Sequence, residues 1–108
     1  MNKMDISVIQ SKKYKVLSGV DLGKAARSFF KIDDLDEQTT HVTVVVPKDV
    51  FSLNSSFFSG LFHDSIVKLK EEGFRRKYIF ECTDVIKKNV DDGIFYVLNT
   101  KNILEDKK

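Results

Sequence analysis

Two adjacent hydroxyls, Ser55 and Ser56, follow Asn54 where a short loop gives way to an amphipathic run. At a helix start such hydroxyls meet backbone amides with no partner inside the helix, in a dipole that favours negative charge. A place of this kind caps itself, holds an anion or carries a regulated phosphate. These uses stay open at this point. A good cap contributes about 1 kcal/mol, whereas a phosphate brings about −1.5 to −2 charges and can alter docking without altering the fold. The loop over 48–56 also supplies Lys48 and Asp49 as candidate partner contacts, with Asn54 and Phe57 at its end. An exposed Phe57 would extend a contact surface, and a packed one would belong to the core.

The remaining reactive side chains are few. His41 and His63 are the two histidines, and Asp64 stands beside His63. A Ser-His-Asp set can be written from Ser55 or Ser56 with His63 and Asp64. Neighbouring helix positions point about 100° apart, which argues against the contact between base and orienting carboxylate. No catalytic residue is assigned. Two histidines and one cysteine spread over three elements lack metal-ligand spacing, so neither a metal nor another cofactor is expected. Gly19 to Gly23 lacks the spacing of a phosphate-cradling loop. Cys82 is the single cysteine, which excludes an internal disulfide; at the end of a strand it reads as a small buried apolar residue.

Composition narrows the class further. A chain of 108 residues, 42% hydrophobic with nine Phe and three Tyr, suits one globular domain over 1–108. Its core is expected at about 14–98, with a charged C-terminal end at 99–108. Lys and Arg total 18 against 16 Asp and Glu, a net charge of +2, so nucleic acid is not expected as a partner. The local run Arg75-Arg76-Lys77, with Lys68 and Lys70, reads as a solvated helix end and strand start. No segment has the apolar length of a membrane span or signal peptide. A cytoplasmic protein without membrane partners is the expectation.

The elements that position these residues follow from periodicity. Residues 5–9 and 14–17 read as short strands joined by a polar turn, a candidate hairpin. From Asp21, read as a cap, the spacing of Leu22, Ala25, Ala26 and Phe29 marks the inner face of a helix, with Lys24 and Arg27 on its wet face. The acidic stretch 33–40 reads as a surface connection. Residues 41–46 form a β-branched run apolar for too many consecutive positions to be one-sided, which predicts a strand covered on both faces. Pro47 ends it. The next helix is predicted from Asn54 or Ser55 to Gly73, with Phe58, Leu61, Phe62, Ile66 and Leu69 inside. Residues 77–82 form a strand, with Ile79 and Phe80 expected in the core beside Val42, Val44 and Val46. Thr83-Asp84 caps a last helix whose inner stripe is Ile86, Val90, Ile94 and Val97 or Leu98. Gly93 within it suggests a close packing contact, and Ile103 and Leu104 are expected to dock back. Among the consecutive Phe29-Phe30 and Phe57-Phe58, one ring of each pair must leave the buried helix face. The order β-β-α-β-α-β-α points to an α/β fold with a mixed, partly parallel sheet.

Leu53-Asn54-Ser55-Ser56-Phe57-Phe58, then Leu61-Phe62, Phe74 through Phe80 and Val85-Ile86-Lys87-Lys88 resemble the STAS-like family of small bacterial and phage domains. Gly23-Lys24-Ala25-Ala26-Arg27 is similar to that family's first-helix motif. The match covers about residues 18–98. The resemblance implies a sheet with helices and a non-enzymatic regulatory role through a protein partner, as in anti-sigma-factor antagonists. In those relatives a serine at the start of the corresponding helix is phosphorylated by a histidine-kinase-like ATPase or anti-sigma-type kinase, which makes Ser56 the candidate, with Ser55 beside it. The chain departs from the pattern where Asn54 stands for the usual Asp, Phe57 for a small residue, and Val46-Pro47 for an acidic strand end. Two alternatives stand beside this reading. One is a small-ligand or nucleotide-binding protein, or an enzyme, using the same helix N-terminus. The other is a phage-encoded inhibitor or decoy that keeps the fold without the phosphoswitch.

Overall fold

The computed structural model describes residues 2–8, 16–17 and 19–106, and of residues 2, 8, 16, 17 and 100–106 the backbone alone. Its elements are β1 (Asn2–Asp5), a single turn of 3-10 helix (Ile6–Val8), β2 (Val16–Leu17), α1 (Val20–Phe29) and α2 (Ile32–Glu37). There follow β3 (Val42–Val45), β4 (Ser52–Leu53), α3 (Ser55–Lys77), β5 (Tyr78–Glu81) and α4 (Asp84–Asp106). The fold is mixed α/β. Strands β1, β3 and β5 form one parallel sheet in that order, and β2 pairs β4 in a second, also parallel.

The hairpin expected at the start is not formed. β1 pairs with β3 and β2 with β4, because each of these short segments finds its ladder with a distant parallel partner. The expected turn and the ends of both expected strands fall on 9–15, outside the described residues. The acidic stretch is also not a plain connection. Its first part, 33–37, continues α2 from Ile32, and Asp36 within it is buried.

Alternation along the sheet decides which side chains meet the helices. Met4, Val42, Val44 and Tyr78 share one face and are buried. Lys3, Thr43, Ile79 and Glu81 share the other, where Lys3, Ile79 and Glu81 are exposed. One expectation is corrected by this register: Tyr78, not Ile79, enters the core. The run is buried at three consecutive positions, Val42, Thr43 and Val44, and so on both faces of β3, while Val45 is half-buried.

α3 is the centre of the packing. Phe58, Leu61, Phe62 and Ile66 form its buried stripe, as expected from their spacing. Phe62 touches Phe58, Phe74, Tyr78 and Phe80 with ring centroids 5.0–6.0 Å apart, mostly edge-on or tilted as aromatic quadrupoles prefer. The helix does not end at Gly73. It breaks at Lys70 (φ 67°, ψ 166°) and resumes to Lys77, which returns the Phe74 ring to the cluster at 1% exposure.

α1 packs on α3 backbone to backbone. A Cβ on Gly23 would lie 2.2 Å from the Phe57 carbonyl oxygen, and one on Gly60 would lie 2.3 Å from the Val20 carbonyl oxygen. This contact sets the rotation of α1. Gly23 and Ala26 face inward, while Leu22, Ala25 and Phe29 are exposed, so of the predicted inner face only Ala26 is buried, and Arg27, predicted on the wet face, has its side chain largely covered. Asp21 sits in the first turn, and the N-cap is Gly19, whose φ of 99° suits glycine. α4 buries Ile86, Val90, Ile94 and Val97 as predicted, with Thr83 Oγ1 accepting from the Ile86 amide at 3.3 Å. Gly93 admits the Phe58 ring, since a Cβ there would lie 2.5 Å from it. The helix continues through 99–106 rather than trailing off; the side chains of Ile103 and Leu104 fall outside the described residues.

Truncating the centre of the ring cluster by Phe62→Ala should cost about 3–5 kcal/mol in urea unfolding. The glycines should divide. Gly23→Ala should destabilise by about 1–3 kcal/mol through overpacking, while Gly73→Ala, whose Cβ would meet only Leu69 Cβ at 3.4 Å, should be neutral or gain up to about 1 kcal/mol. Equal effects at the two glycines would refute the close α1–α3 contact.

Candidate functional site

Pro47 closes β3 and its carbonyl accepts from the Val50 amide at 3.0 Å, a turn that leaves Lys48 and Asp49 exposed. Val50 anchors the loop in the core at 1% exposure, whereas the next ring, Phe51, is 63% exposed. β4 then returns the chain, and the Leu53 amide donates to Asn89 Oδ1 of α4 at 2.8 Å. The loop is thus pinned at both ends and open in the middle.

Asn54 caps α3: its Oδ1 accepts from the Ser56 amide at 2.8 Å and from the Ser56 hydroxyl at 2.6 Å. The Ser56 oxygen in turn accepts from the Gly19 amide at 3.1 Å. Ser56 therefore ties the first turn of α3 to the residue that opens α1. Ser55 is half-buried with no side-chain partner among the described residues. Phe57 is fully buried, so its ring belongs to the core and the expectation of a surface contact there is corrected. Phe57 and Phe58 are both fully buried, and the Phe58 ring lies against Gly93 of α4. The exposed ring of the loop is Phe51, which periodicity did not single out because it lies in no amphipathic element.

A second polar cluster lies beneath α1 and α2. Asp36, its side chain 2% exposed, accepts from Arg27 Nη2 at 2.9 Å and Ser65 Oγ at 2.7 Å on one oxygen, and from Tyr78 OH at 2.6 Å on the other. Arg27 donates in addition to Asp33, the Leu61 carbonyl and Ser65. All five guanidinium hydrogens are engaged, so the group has none left for a ligand. Burial alone would lower the Arg27 pKa, but the hydrogen bonds and charges of Asp33 and Asp36 outweigh it and raise it. Burial, and then the hydrogen bond to Asp36, push the Tyr78 phenol well above its ordinary range. Nothing in the linear sequence distinguished Arg27, Asp36 and Ser65 from surface residues.

Beside this cluster runs a groove of about 550 Å³, lined by Lys24, Ser28, Ser59, His63, Asp64 and Tyr96 among others. His63 Nδ1 lies 3.1 Å from Asp64 Oδ1, so adjacent helix positions do make the contact that their angular separation argued against: both side chains are long enough to bend toward each other. Neither Ser55 nor Ser56 is bonded to His63. Ser59, one turn before His63, lines the same groove, and no hydrogen bond joins them. His41 is exposed at the start of β3. Cys82 is half-buried, and that burial raises its thiol pKa, which disfavours the thiolate. Among the described residues no cluster of His, Cys, Asp or Glu forms a metal-binding group, and no helix is long and apolar enough to cross a membrane.

No family model, curated protein or solved structure matches the chain.

Removing the buried carboxylate by Asp36→Ala should cost roughly 3–5 kcal/mol in urea unfolding, because Arg27 keeps its burial and loses a buried partner. Asp33→Ala should cost less than about 1 kcal/mol, since Asp33 is 84% exposed and its pairing is screened. The phenol gives a pH signature. The fold favours neutral Tyr78, so its contribution is complete below the ordinary tyrosine value of about 10 and declines as the pH climbs above it. In an ultraviolet titration the last phenolate to appear should be absent from Tyr78→Phe. Loss of an early-titrating phenolate instead would contradict the buried Tyr78–Asp36 bond.

Proposed function

We propose that the chain is a non-enzymatic interaction domain that docks a protein partner through the loop at 48–56 and the first turn of α3. The carrying observation is the Phe51 ring, 63% exposed on a loop that is otherwise anchored by Val50 and Leu53. An exposed ring held on a pinned loop supplies contact area at little ordering cost, and aromatic anchors are common at the centre of interfaces. Lys48, Asp49, Asn54 and Ser55 add charge and hydrogen-bonding groups to the same segment. No hydrolytic role is proposed for Ser55 or Ser56, whose hydroxyls are not joined to His63.

The STAS-like relationship and a serine switch belong to the same proposal, with a kinase-like partner as the resemblance implies. The two serines would act differently. A phosphate on Ser55 would add charge to the loop face. One on Ser56 would remove the proton given to Asn54 and disturb the oxygen that receives the Gly19 amide, so it would loosen the junction of α1 with α3 as well as change the surface.

The test compares one partner, identified by affinity capture with the wild type, across Phe51→Ala, Ser55→Asp and Ser56→Asp at equal folded fraction. Phe51→Ala should weaken binding at least about tenfold while unfolding free energy stays within about 1 kcal/mol. Equal affinity for all of them would place the interface elsewhere. Thermal shifts with nucleotides or phosphorylated compounds that vanish in Ser56→Ala would favour a ligand site instead.

A further inference from the structure

The described sheet ends at β5, and the register fixes where the backbone groups of that strand point. The Val46 amide donates to the Glu81 carbonyl at 2.9 Å. In a parallel ladder of this register Ile79 and Glu81 direct their N–H and C=O groups to β3, and Phe80 directs its own away from the sheet. No described residue meets the Phe80 groups. Such an edge is a template for another strand.

Two features beside this edge suit an occupant. Adjoining grooves of about 220 and 210 Å³ run between the end of α3, β5 and α4 and share Arg75, Asp91 and Ile94. Ile79 and Phe95, 46% and 69% exposed, line them. The charges are ordered as well. Within the basic run Arg75 is bound to Glu71 and Asp91, and Lys77 donates to the Gln38 and Thr40 carbonyls. Arg76 is left exposed, with no partner among the described residues, just before β5. Glu81 ends the strand exposed and without a side-chain partner, and exposed Asp84 follows it. A strand that begins with a free cation and ends with free anions matches itself when read antiparallel. Read parallel, it sets like charges opposite each other.

We propose that β5 pairs antiparallel with β5 of a second copy about a two-fold axis at Phe80, joining the two three-stranded sheets and setting Arg76 of each copy against Asp84 of the other. Antiparallel pairing lets the outward groups of Phe80 bond across the axis, and the same axis brings the two apolar seams side by side. Because the contact uses the same surface on both copies, it closes at the dimer. This surface is distinct from the loop at 48–56, so the dimer and the docking proposal stand or fall separately.

Sedimentation equilibrium of the full chain up to about 1 mM is the test. The wild type should dimerise with concentration, and Arg76→Glu or Asp84→Arg alone should each raise the dissociation constant at least about tenfold. Both side chains are exposed, so both variants should fold, as circular dichroism will show. An equimolar mixture of the two variants should recover association, because each acidic end then meets a basic one in the mixed pair; the double variant should recover it too. In the wild type, exchange of the Phe80 amide hydrogen should slow as concentration rises. A chain that stays monomeric throughout, a dimer indifferent to both charge reversals, or a Phe80 amide whose exchange ignores concentration would each overturn the proposal.

Discussion

The carboxylate of Asp36 is the constraint around which the molecule is arranged. A charge almost wholly removed from water is tolerated only where its oxygens are met by donors of good geometry. Here those donors come from Arg27 on α1, Ser65 on α3 and Tyr78 on β5, while Asp36 itself rides on α2. Four elements distant in sequence must therefore be in correct register together, or a buried charge is left unmet. Apolar packing in the ring cluster supplies the larger driving force, but it tolerates rearrangement more readily than a hydrogen-bonded charge does. The polar cluster thus specifies which of several packed arrangements is adopted. The same saturation leaves Arg27, which borders a groove, with every guanidinium hydrogen committed inside the fold.

Physical reasons separate what was legible in the sequence from what was not. α3 and α4 were readable because long helices with one buried stripe print that stripe at regular spacing: Phe58, Phe62 and Ile66 in one, Ile86, Val90 and Ile94 in the other. The α/β class followed from the order of such segments. α1 misled because its buried face is made by the absence of side chains. Gly23 and Gly60 allow backbone contact, which no hydrophobic count detects, and Leu22 and Phe29 were then left outside. Arg27 and Asp36 read as wet because each is polar, and their pairing spans elements that only the tertiary fold brings together. The short parallel pairings of β1 and β2 escaped for the same reason, since strands of two to four residues carry little periodicity. At the candidate site the helix start and its serine pair were visible, while the Asn54 cap, the Gly19–Ser56 bond and the exposed ring of Phe51 were not.

The position of the loop relative to this core bears on what it can do. The unbroken part of α3, from Ser55 to Leu69, is about 22 Å long at 1.5 Å per residue, and Ser65, bound to Asp36, lies near its far end. Contacts made at the loop and first turn are therefore borne by a helix whose orientation is set elsewhere, by the Asp36 cluster, the glycine contact with α1 and the ring cluster. A partner or a modification at the loop can exchange hydrogen bonds without disturbing the buried charge. The exception is Ser56. Through the Gly19 amide it also fastens the start of α1, the helix that carries Gly23 and Arg27 four and eight residues further on. A change at Ser55 touches no side-chain hydrogen bond among the described residues, whereas a change at Ser56 loosens the bond that its oxygen receives from the Gly19 amide at the entry of α1. Two neighbouring hydroxyls of the same chemistry therefore differ in reach, and the difference lies in a single backbone amide 37 residues away.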